Sequence, residues 1–401
     1  MRRFKVYWTF FSYSERFFKN ADKINHLFGL DRQFSTFFPN FARQNRYFMS
    51  KQKVIICQNL EKDLAEAINL CPHDKLFVLV DEHTNELCLP LLSGFDCLKE
   101  AEIISISAGD INKTIDTLAS VWKELGNRGA TRHSLMINLG GGMVTDLGGF
   151  AASTFKRGIK YINIPTTLLA MVDASVGGKT GINFNGLKNE VGVFSPAECV
   201  LIDTQFLKSL DIQNLLSGYA EMLKHGIIST TEHWAELLNF DMEHIDYKAL
   251  QTLVAKSVQI KENVVEQDPF EKGIRKALNV GHTAGHAFES LALESGHPVL
   301  HGYAVAWGIV CELYLSFGKA NFPKDKLRQT IQFIKEHYGV LVFDCKQYDR
   351  LYDFMTHDKK NTSGIINFTL IGEIGDIRIN QSATKEEIMD MLDFYRETMG
   401  C

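Results

Sequence analysis

Several short stretches of this chain combine imidazole, carboxylate and small residues in ways that can hold a metal. Gly281-His282-Thr283-Ala284-Gly285-His286 sets two histidines four residues apart, on one face of a helix. Glu221 stands within Gly218-Tyr219-Ala220-Glu221-Met222-Leu223-Lys224, and His301-Gly302 follows later in the chain. A His, His, Glu set with one open position is an ordinary catalytic zinc shell, while the missing Glu of H-E-x-x-H argues against a zinc protease. Two histidines on one helix equally serve packing through hydrogen bonds, so spacing alone leaves both readings open. Arg275 and Asn279 precede His282 on roughly one helical face, with Lys261 and Glu271 upstream, and His357-Asp358-Lys359-Lys360 forms a charged turn. Taken singly, such charges read as solvated surface.

A second group of residues suits anions. Leu135-Met136-Ile137-Asn138-Leu139 runs into Gly140-Gly141-Gly142 and then into Met143-Val144-Thr145-Asp146-Leu147-Gly148-Gly149-Phe150, a buried strand feeding a glycine turn and a helix. That arrangement aims backbone N–H groups and a helix N-terminus at a diphosphate. It is not the G-x-G-x-x-G fingerprint, because Thr145 takes the third glycine's place, and tight strand-to-helix turns also occur without a ligand. Gly178-Lys179-Thr180 has the ending of a P-loop, but Asp173 occupies the first glycine position, which excludes an ATP cradle of that kind. What remains is a polar cluster of Asp173, Lys179, Lys188 and Asn189 after the Pro165-Thr166-Thr167 turn. Lysines beside glycines are what an anionic substrate needs to approach the backbone, and a solvated loop is the plainer alternative.

The elements that must position these residues are legible from periodicity. Short β-branched runs at 54–57, 76–80, 103–106, 135–139, 161–164 and 200–202 alternate with amphipathic stretches, which predicts an α/β layer with a mainly parallel sheet. Ile115, Leu118, Val121, Trp122 and Leu125 recur three or four apart and predict a helix with one buried face. Beyond about residue 210 the chain reads as helices over 215–228, 233–238, 247–266, 277–293, 301–317, 324–337 and 384–396, with only 365–370 extended. The expected architecture is an N-terminal Rossmann-like nucleotide-binding α/β domain over 49–210, followed by a mainly α-helical metal- and substrate-binding domain over 211–401. A hinge or cleft floor is expected near the junction, where ligands tend to bind.

Composition narrows the function classes. The 401 residues are 45% hydrophobic and 23% charged, and no apolar run approaches the ~18 residues of a membrane span. With 43 basic against 48 acidic residues the net charge is -5, so no global positive field draws the chain to nucleic acid. The 8 cysteines are scattered without a C-x-x-C pair and read as reduced thiols in a cytoplasmic protein. Residues 1–48 stand apart: they hold 11 of the 28 Phe and carry +6, against -11 for the remainder. They show no lasting period and no signal-peptide core. They are expected to form a poorly ordered, dispensable extension, a membrane-surface or partner-binding arm being the alternative.

Taken together these segments closely resemble the 3-dehydroquinate synthase family, over about residues 54–395. The stretches that carry the resemblance are LGGGMVTDLGGF (139–150), IPTTLL (164–169), VDASVGGKT (172–180), Lys188-Asn189, GYAEMLKHG (218–226), RKALNVGHTAGH (275–286) and Leu300-His301-Gly302. The resemblance implies a lyase that takes the seven-carbon sugar acid phosphate of the shikimate pathway, releases phosphate and closes a carbocycle. It implies NAD and a divalent metal, zinc or cobalt, held by Glu221, His282 and His301. The matching NAD positions are Asp81, Asp110, Lys113, Gly141, Gly142, Asp146, Thr166, Thr167, Lys188 and Phe206. The matching substrate positions are Asp173, Lys179, Asn189, Lys224, Lys261, Glu271, Arg275, Asn279, His286 and Lys359, with Arg157 offered by a neighbouring subunit of a homodimer.

Three positions depart from the family's pattern: Asp110 replaces a glutamate, Ala174 a serine, and Tyr303 the carboxylate of H-G-E beside a candidate metal ligand. The last would change an outer contact of the metal shell. Two rival readings share the layout. Sister cyclases and a metal- and NAD-dependent polyol dehydrogenase use the same two-domain scaffold, but the dehydrogenase does not call for the cations Lys179, Lys261, Arg275 and Lys359. A regulatory protein on a retired enzyme scaffold predicts lost metal ligands, yet all three match.

Overall fold

The computed structural model describes residues 52–357 and 366–401, so the expected extension and Lys359 lie outside the described residues. The first half is built on strands β1 (Lys53–Ile56), β2 (Leu76–Asp81), β3 (Glu102–Ile106), β4 (Leu135–Gly140), β5 (Lys160–Pro165) and β8 (Cys199–Ile202). They form one six-stranded sheet in the order β1-β8-β5-β4-β2-β3, and every pairing is parallel. Every residue of β2 and β4 is buried, as expected of parallel strands covered on both faces. The covering helices are α1 (Leu60–Asn69), α2 (Glu82–Leu87), α3 (Ile115–Asn127) and α4 (Gly142–Thr154). In α3 the buried Leu118, Val121 and Leu125 form the expected face, and Thr114 caps the first turn by accepting from the Thr117 amide.

The crossover from β2 leads outward to β3, whereas that from β4 leads the other way to β5. Adjacent parallel strands whose connections diverge leave a crevice at their carboxyl ends, where ligands bind in open α/β sheets. Asp81 ends β2, and Gly140 ends β4 beside the glycine turn.

The second half is helical: α5 (Ile212–Ile227), α6 (Thr231–Leu238), α7 (Tyr247–Gln267), α8 (His282–Glu294), α9 (His301–Ala320), α10 (Lys324–Tyr338), α11 (Tyr348–Thr356) and α12 (Lys385–Met399). The buried helix α9 is its axis, packing against α5, α8, α10 and α12. No helix among the described residues is long and apolar enough to cross a membrane. The eight cysteines are all unpaired.

Three expectations are corrected. The helix expected over 277–293 is broken: a 3-10 turn, Ile274–Asn279, precedes Gly281 at φ 80, and α8 starts only at His282. Arg275 and Asn279 therefore do not share a helix with the histidines. The polar segment around Lys179 and Lys188 is an antiparallel hairpin of β6 (Lys179–Phe184) and β7 (Leu187–Phe194), whose glycines and exposed β7 hid its strand character. The single late extended segment has a partner, so that β9 (Asn367–Ile371) and β10 (Ile377–Ser382) form a second hairpin.

Candidate active site

Of the residues of α5, thirteen are buried, among them Glu221, Lys224 and His225. Ionisable groups withdrawn from water need partners: Lys224 pairs with Glu221 on the same helix, and Glu221 meets imidazoles from two neighbouring helices. His282 opens α8 and His301 opens α9, so each imidazole stands where its helix emerges from a turn. The three helices meet backbone to backbone. A Cβ on Gly302 would overlap the Ser217 carbonyl of α5, and one on Gly308 of α9 would overlap the Gly281 carbonyl in front of α8. The Gly281 conformation suits glycine for a second reason, its positive φ, which L side chains rarely adopt. Glu312, a fully buried carboxylate on α9, accepts from the amides of Gly281 and Thr283 at 2.8 Å and of Ala284 at 3.2 Å. It satisfies the free N–H groups at the start of α8 and complements the positive end of that helix.

This framework brings Glu221, His282 and His301 together. Glu221 Oε1 is 3.5 Å from His282 Nε2 and 3.5 Å from His301 Nε2. Four ligands at about 2.1 Å around a tetrahedral ion stand about 3.4 Å from one another, so the spacing suits a zinc-sized cation. Both Glu221 oxygens are buried and lack a well-formed hydrogen bond, although Lys224 makes an ion pair with one of them. Burial would raise the Glu221 carboxyl, but Lys224 and the two imidazoles hold it well below its usual range. Burial likewise works against a charged His301, yet hydrogen bonds and Coulomb attraction from Glu221 and Glu289 hold it up to about 10. An acceptor-rich, proton-attracting centre of this kind is what a divalent ion replaces. His286, one turn along α8, adds a third imidazole, its ring 5.4 Å from that of His282 and 5.8 Å from that of His301.

Next to the trio lies a bed of cations. Lys261 of α7 donates to Asp173 Oδ1 and to its carbonyl, each at 2.5 Å, and Asp173, Glu221 and His225 approach within 4.8 Å. Burial alone would raise Asp173; Lys261 reverses this and holds it below the ordinary carboxylate range. Arg275, only 2% exposed, donates to the carbonyls of Pro269 (2.6 Å) and Gly177 (3.3 Å), with no carboxylate in ion-pair distance among the described residues. Burial pushes its guanidinium, and the Lys261 ammonium, below their ordinary values. Lys179 pairs with Glu271, which also accepts from Asn279 at 3.1 Å.

On the sheet side, Gly141 caps α4 without a side-chain hydrogen bond, and a Cβ there would lie 3.0 Å from the Thr167 methyl. The first turn of α4 is thus left open to a ligand. Thr166 donates its amide to Gly140, bringing the ends of β4 and β5 together. Lys113 reaches Asp146 and Asn189, each at 2.5 Å, although burial still pushes the Asp146 carboxyl up. Asp81 uses its carboxylate to cap α2 at Thr84, and Asp110 accepts from Asn183. Lys188 bridges Asp110 at 3.8 Å and Glu289 of α8 at 2.6 Å. Phe206 is enclosed in the core at 1% exposure. Arg157 stands apart from these groups, lining a cavity of about 570 Å³ with Arg132, His133 and Lys156.

Sequence comparison decides among the scaffolds that share this geometry. Residues 103–217 match the family model for the 3-dehydroquinate synthase N-terminal region, and 218–361 match that for the C-terminal region. A 3-dehydroquinate synthase of Parabacteroides distasonis is 58% identical over 352 residues, covering 88% of this chain and 100% of the relative. The chain belongs to the 3-dehydroquinate synthase family. A member from Streptococcus pyogenes is 33% identical over 85% of this chain and 95% of its own. Among solved structures, 2-epi-5-epi-valiolone synthase of Streptomyces hygroscopicus, with NAD+ and Zn2+ bound, is 25% identical with a TM-score of 0.76, covering 87% of this chain and 97% of its own. An iron-containing alcohol dehydrogenase of Thermotoga maritima shares the fold alone, at 15% identity and TM-score 0.61 over 88% of this chain and 99% of that one.

Within this family member, Glu289 and Glu312 carry interactions that the motifs do not show, and His225 adds a buried imidazole near Asp173 and Glu221. The signal for Glu289 was present, since it lies three residues after His286 on one helical face. Glu312 could not be found that way, because it acts from another helix on backbone amides. Tyr303, the departing position, packs its ring edge-on against Tyr338 and Trp307, and the carboxylate beside His301 is Glu289.

Proposed function

We propose that the chain converts 3-deoxy-D-arabino-heptulosonate 7-phosphate to 3-dehydroquinate and phosphate, with NAD on residues 49–210 and a divalent metal on residues 211–401. The observation that carries this reading is the Glu221–His282–His301 trio lying against buried cations, one of which, Arg275, has no carboxylate within ion-pair distance among the described residues. A neutral polyol gives such a guanidinium nothing to pair with, whereas a carboxylate or phosphate does.

Glu221, His282 and His301 would hold the metal, which as a Lewis acid acidifies a coordinated hydroxyl. NAD, seated at Gly141, Gly142 and the start of α4 with Asp81, Asp110, Lys113, Asp146, Thr166, Thr167 and Lys188 around it, supplies a transient hydride acceptor. Arg275, Lys179 and Lys261 bind the anionic ends of the substrate. Lys224 and Asn189 orient its hydroxyls. Asp173, held ionised by Lys261, keeps that ammonium in place, and Glu271 does the same for Lys179 and Asn279. His286, beside the trio, hydrogen-bonds the phosphate. Fixing a flexible open chain at both ends favours ring closure before the intermediate escapes. Lys359 and, from the second subunit of a homodimer, Arg157 complete the anion contacts. Eight unpaired thiols suit a reducing cytoplasm.

The test is redox balance. Incubated with the heptulosonate phosphate and substoichiometric NAD, the enzyme releases many phosphates per NAD without accumulating NADH. NADH formed in step with product, with no phosphate released, would refute the cyclase reading in favour of a dehydrogenase.

A further inference from the structure

The two histidines of the trio are held in different ways. A histidine ligates through one ring nitrogen only when the other carries the proton, so the partner of that second nitrogen sets the ligand. For His282 the partner is fixed: Nδ1 lies 3.1 Å from the Val280 carbonyl, directly before the helix. For His301 it is a side chain, since Nδ1 lies 3.2 Å from Glu289 Oε2. An ionised carboxylate only accepts, so Nδ1 carries the proton toward Glu289, and Nε2, which faces Glu221, is the nitrogen left to give up its proton to an incoming cation.

The other oxygen of Glu289 is not idle. Oε1 takes the Lys188 ammonium at 2.6 Å, a contact between residues 101 positions apart. Lys188 belongs to β7, every residue of which is exposed, and its neighbour Asn189 accepts from Lys113, the partner of Asp146. One carboxylate on α8 thus touches the imidazole that faces the metal position and the hairpin that lies on the cofactor side.

We propose that Glu289 is a positioning residue that couples the metal and NAD sites. Through one oxygen it fixes the tautomer and tilt of His301, and through the other it anchors Lys188. A cation on His301 Nε2 strengthens Nδ1–H as a donor and immobilises Glu289, which then presents Lys188 in place for the dinucleotide. Metal therefore tightens NAD binding, and by linkage NAD tightens metal binding by the same factor. The inference rests on the function proposed above, because it takes NAD and a divalent metal as the two ligands.

The experiment measures NAD affinity by calorimetry on zinc-loaded and chelator-stripped full-length enzyme, and zinc affinity by chelator competition with and without NAD. In the wild type each ligand should strengthen the other about tenfold, within the usual range of such couplings. Glu289→Gln should weaken zinc about 10- to 100-fold, as outer-shell losses do, and abolish the coupling. It should also alter the visible spectrum of the Co2+-loaded protein, which a remote packing defect would not do. Lys188→Met should lose the coupling while keeping the zinc affinity and the Co2+ spectrum of the wild type. If Glu289→Gln does not fold, Lys188→Met decides: coupling that survives in it overturns the proposal. So does wild-type enzyme that binds both ligands without mutual effect, or zinc affinity unchanged in a folded Glu289→Gln. A wild type that binds no NAD or no divalent metal would instead sink the proposed function, and this inference with it.

Discussion

The sheet half and the helical half of the site are made of different material. At the carboxyl ends of β2, β4 and β5 the binding surface is mostly backbone: an uncapped first turn of α4, a glycine whose missing Cβ leaves room beside Thr167, and strand ends joined by the Thr166 amide. Around the trio it is side chain, with imidazoles from two helices each 3.5 Å from one carboxylate oxygen on a third. A backbone surface is sensitive to added volume and indifferent to most functional groups. A side-chain centre is sensitive to the identity of single atoms.

The strongest test of that contrast lies in the helical half. Glu221→Ala, His282→Ala and His301→Ala should each abolish bound metal and turnover, whereas His286→Ala should retain metal and slow turnover by about a hundredfold, the scale of a lost proton or phosphate contact. Metal content by atomic emission on the four purified variants checks this, and metal loss from His286→Ala would make it a ligand. In the sheet half, volume should matter instead. Gly141→Val, pressing on Thr167, should weaken NAD by about tenfold or more, the equivalent of 1.4 kcal/mol or more of overpacking, with metal content untouched. Nucleotide titration followed by protein fluorescence measures it, and wild-type affinity in that variant would remove the glycine turn from the cofactor site.

The smallest expected effect concerns stability. Burial, helped by Lys224, lowers His225 to about 3, and neither ring nitrogen has a hydrogen-bond partner. The unfolded chain takes up a proton near pH 6.5 that the folded chain refuses, so this contribution is whole above pH 6.5 and drains away as the pH falls toward 3. His225→Gln should flatten the dependence of Tm on pH across that window. An unaltered slope would mean that His225 is not a source of the acid sensitivity.

Legibility from sequence followed the range of the interactions. Four of the six parallel strands, β2, β4, β5 and β8, are buried almost throughout and so legible as continuous apolar runs, and the glycine turn is legible because its spacing is local. The break before His282 leaves no mark in the sequence because 277–279 keep the helical pattern, and the extended Val280 and the αL Gly281 that interrupt it do not disturb that pattern. The hairpin at 179–194 leaves little trace in the sequence because every residue of β7 is exposed, so no buried face marks it as a strand. Resemblance named Glu221, His282 and His301; what places them is long-range contact between helices, which no window of sequence contains. The same limit hid Glu312, whose three partners are amides about thirty residues earlier in the chain.

The glycine contacts that press α9 onto α5 and α8 have a consequence for how this protein meets its ion. With Gly302 against Ser217, Gly308 against Gly281, and Glu312 gripping the start of α8, the ordering of the three donors is completed when the helices pack. The metal centre proposed there is a preassembled socket rather than a fold nucleated by metal, unlike a zinc finger. Exchange of one divalent ion for another then becomes a local event at the mouth of a rigid frame, governed by supply and ionic radius, and the chain can wait for its ion fully folded.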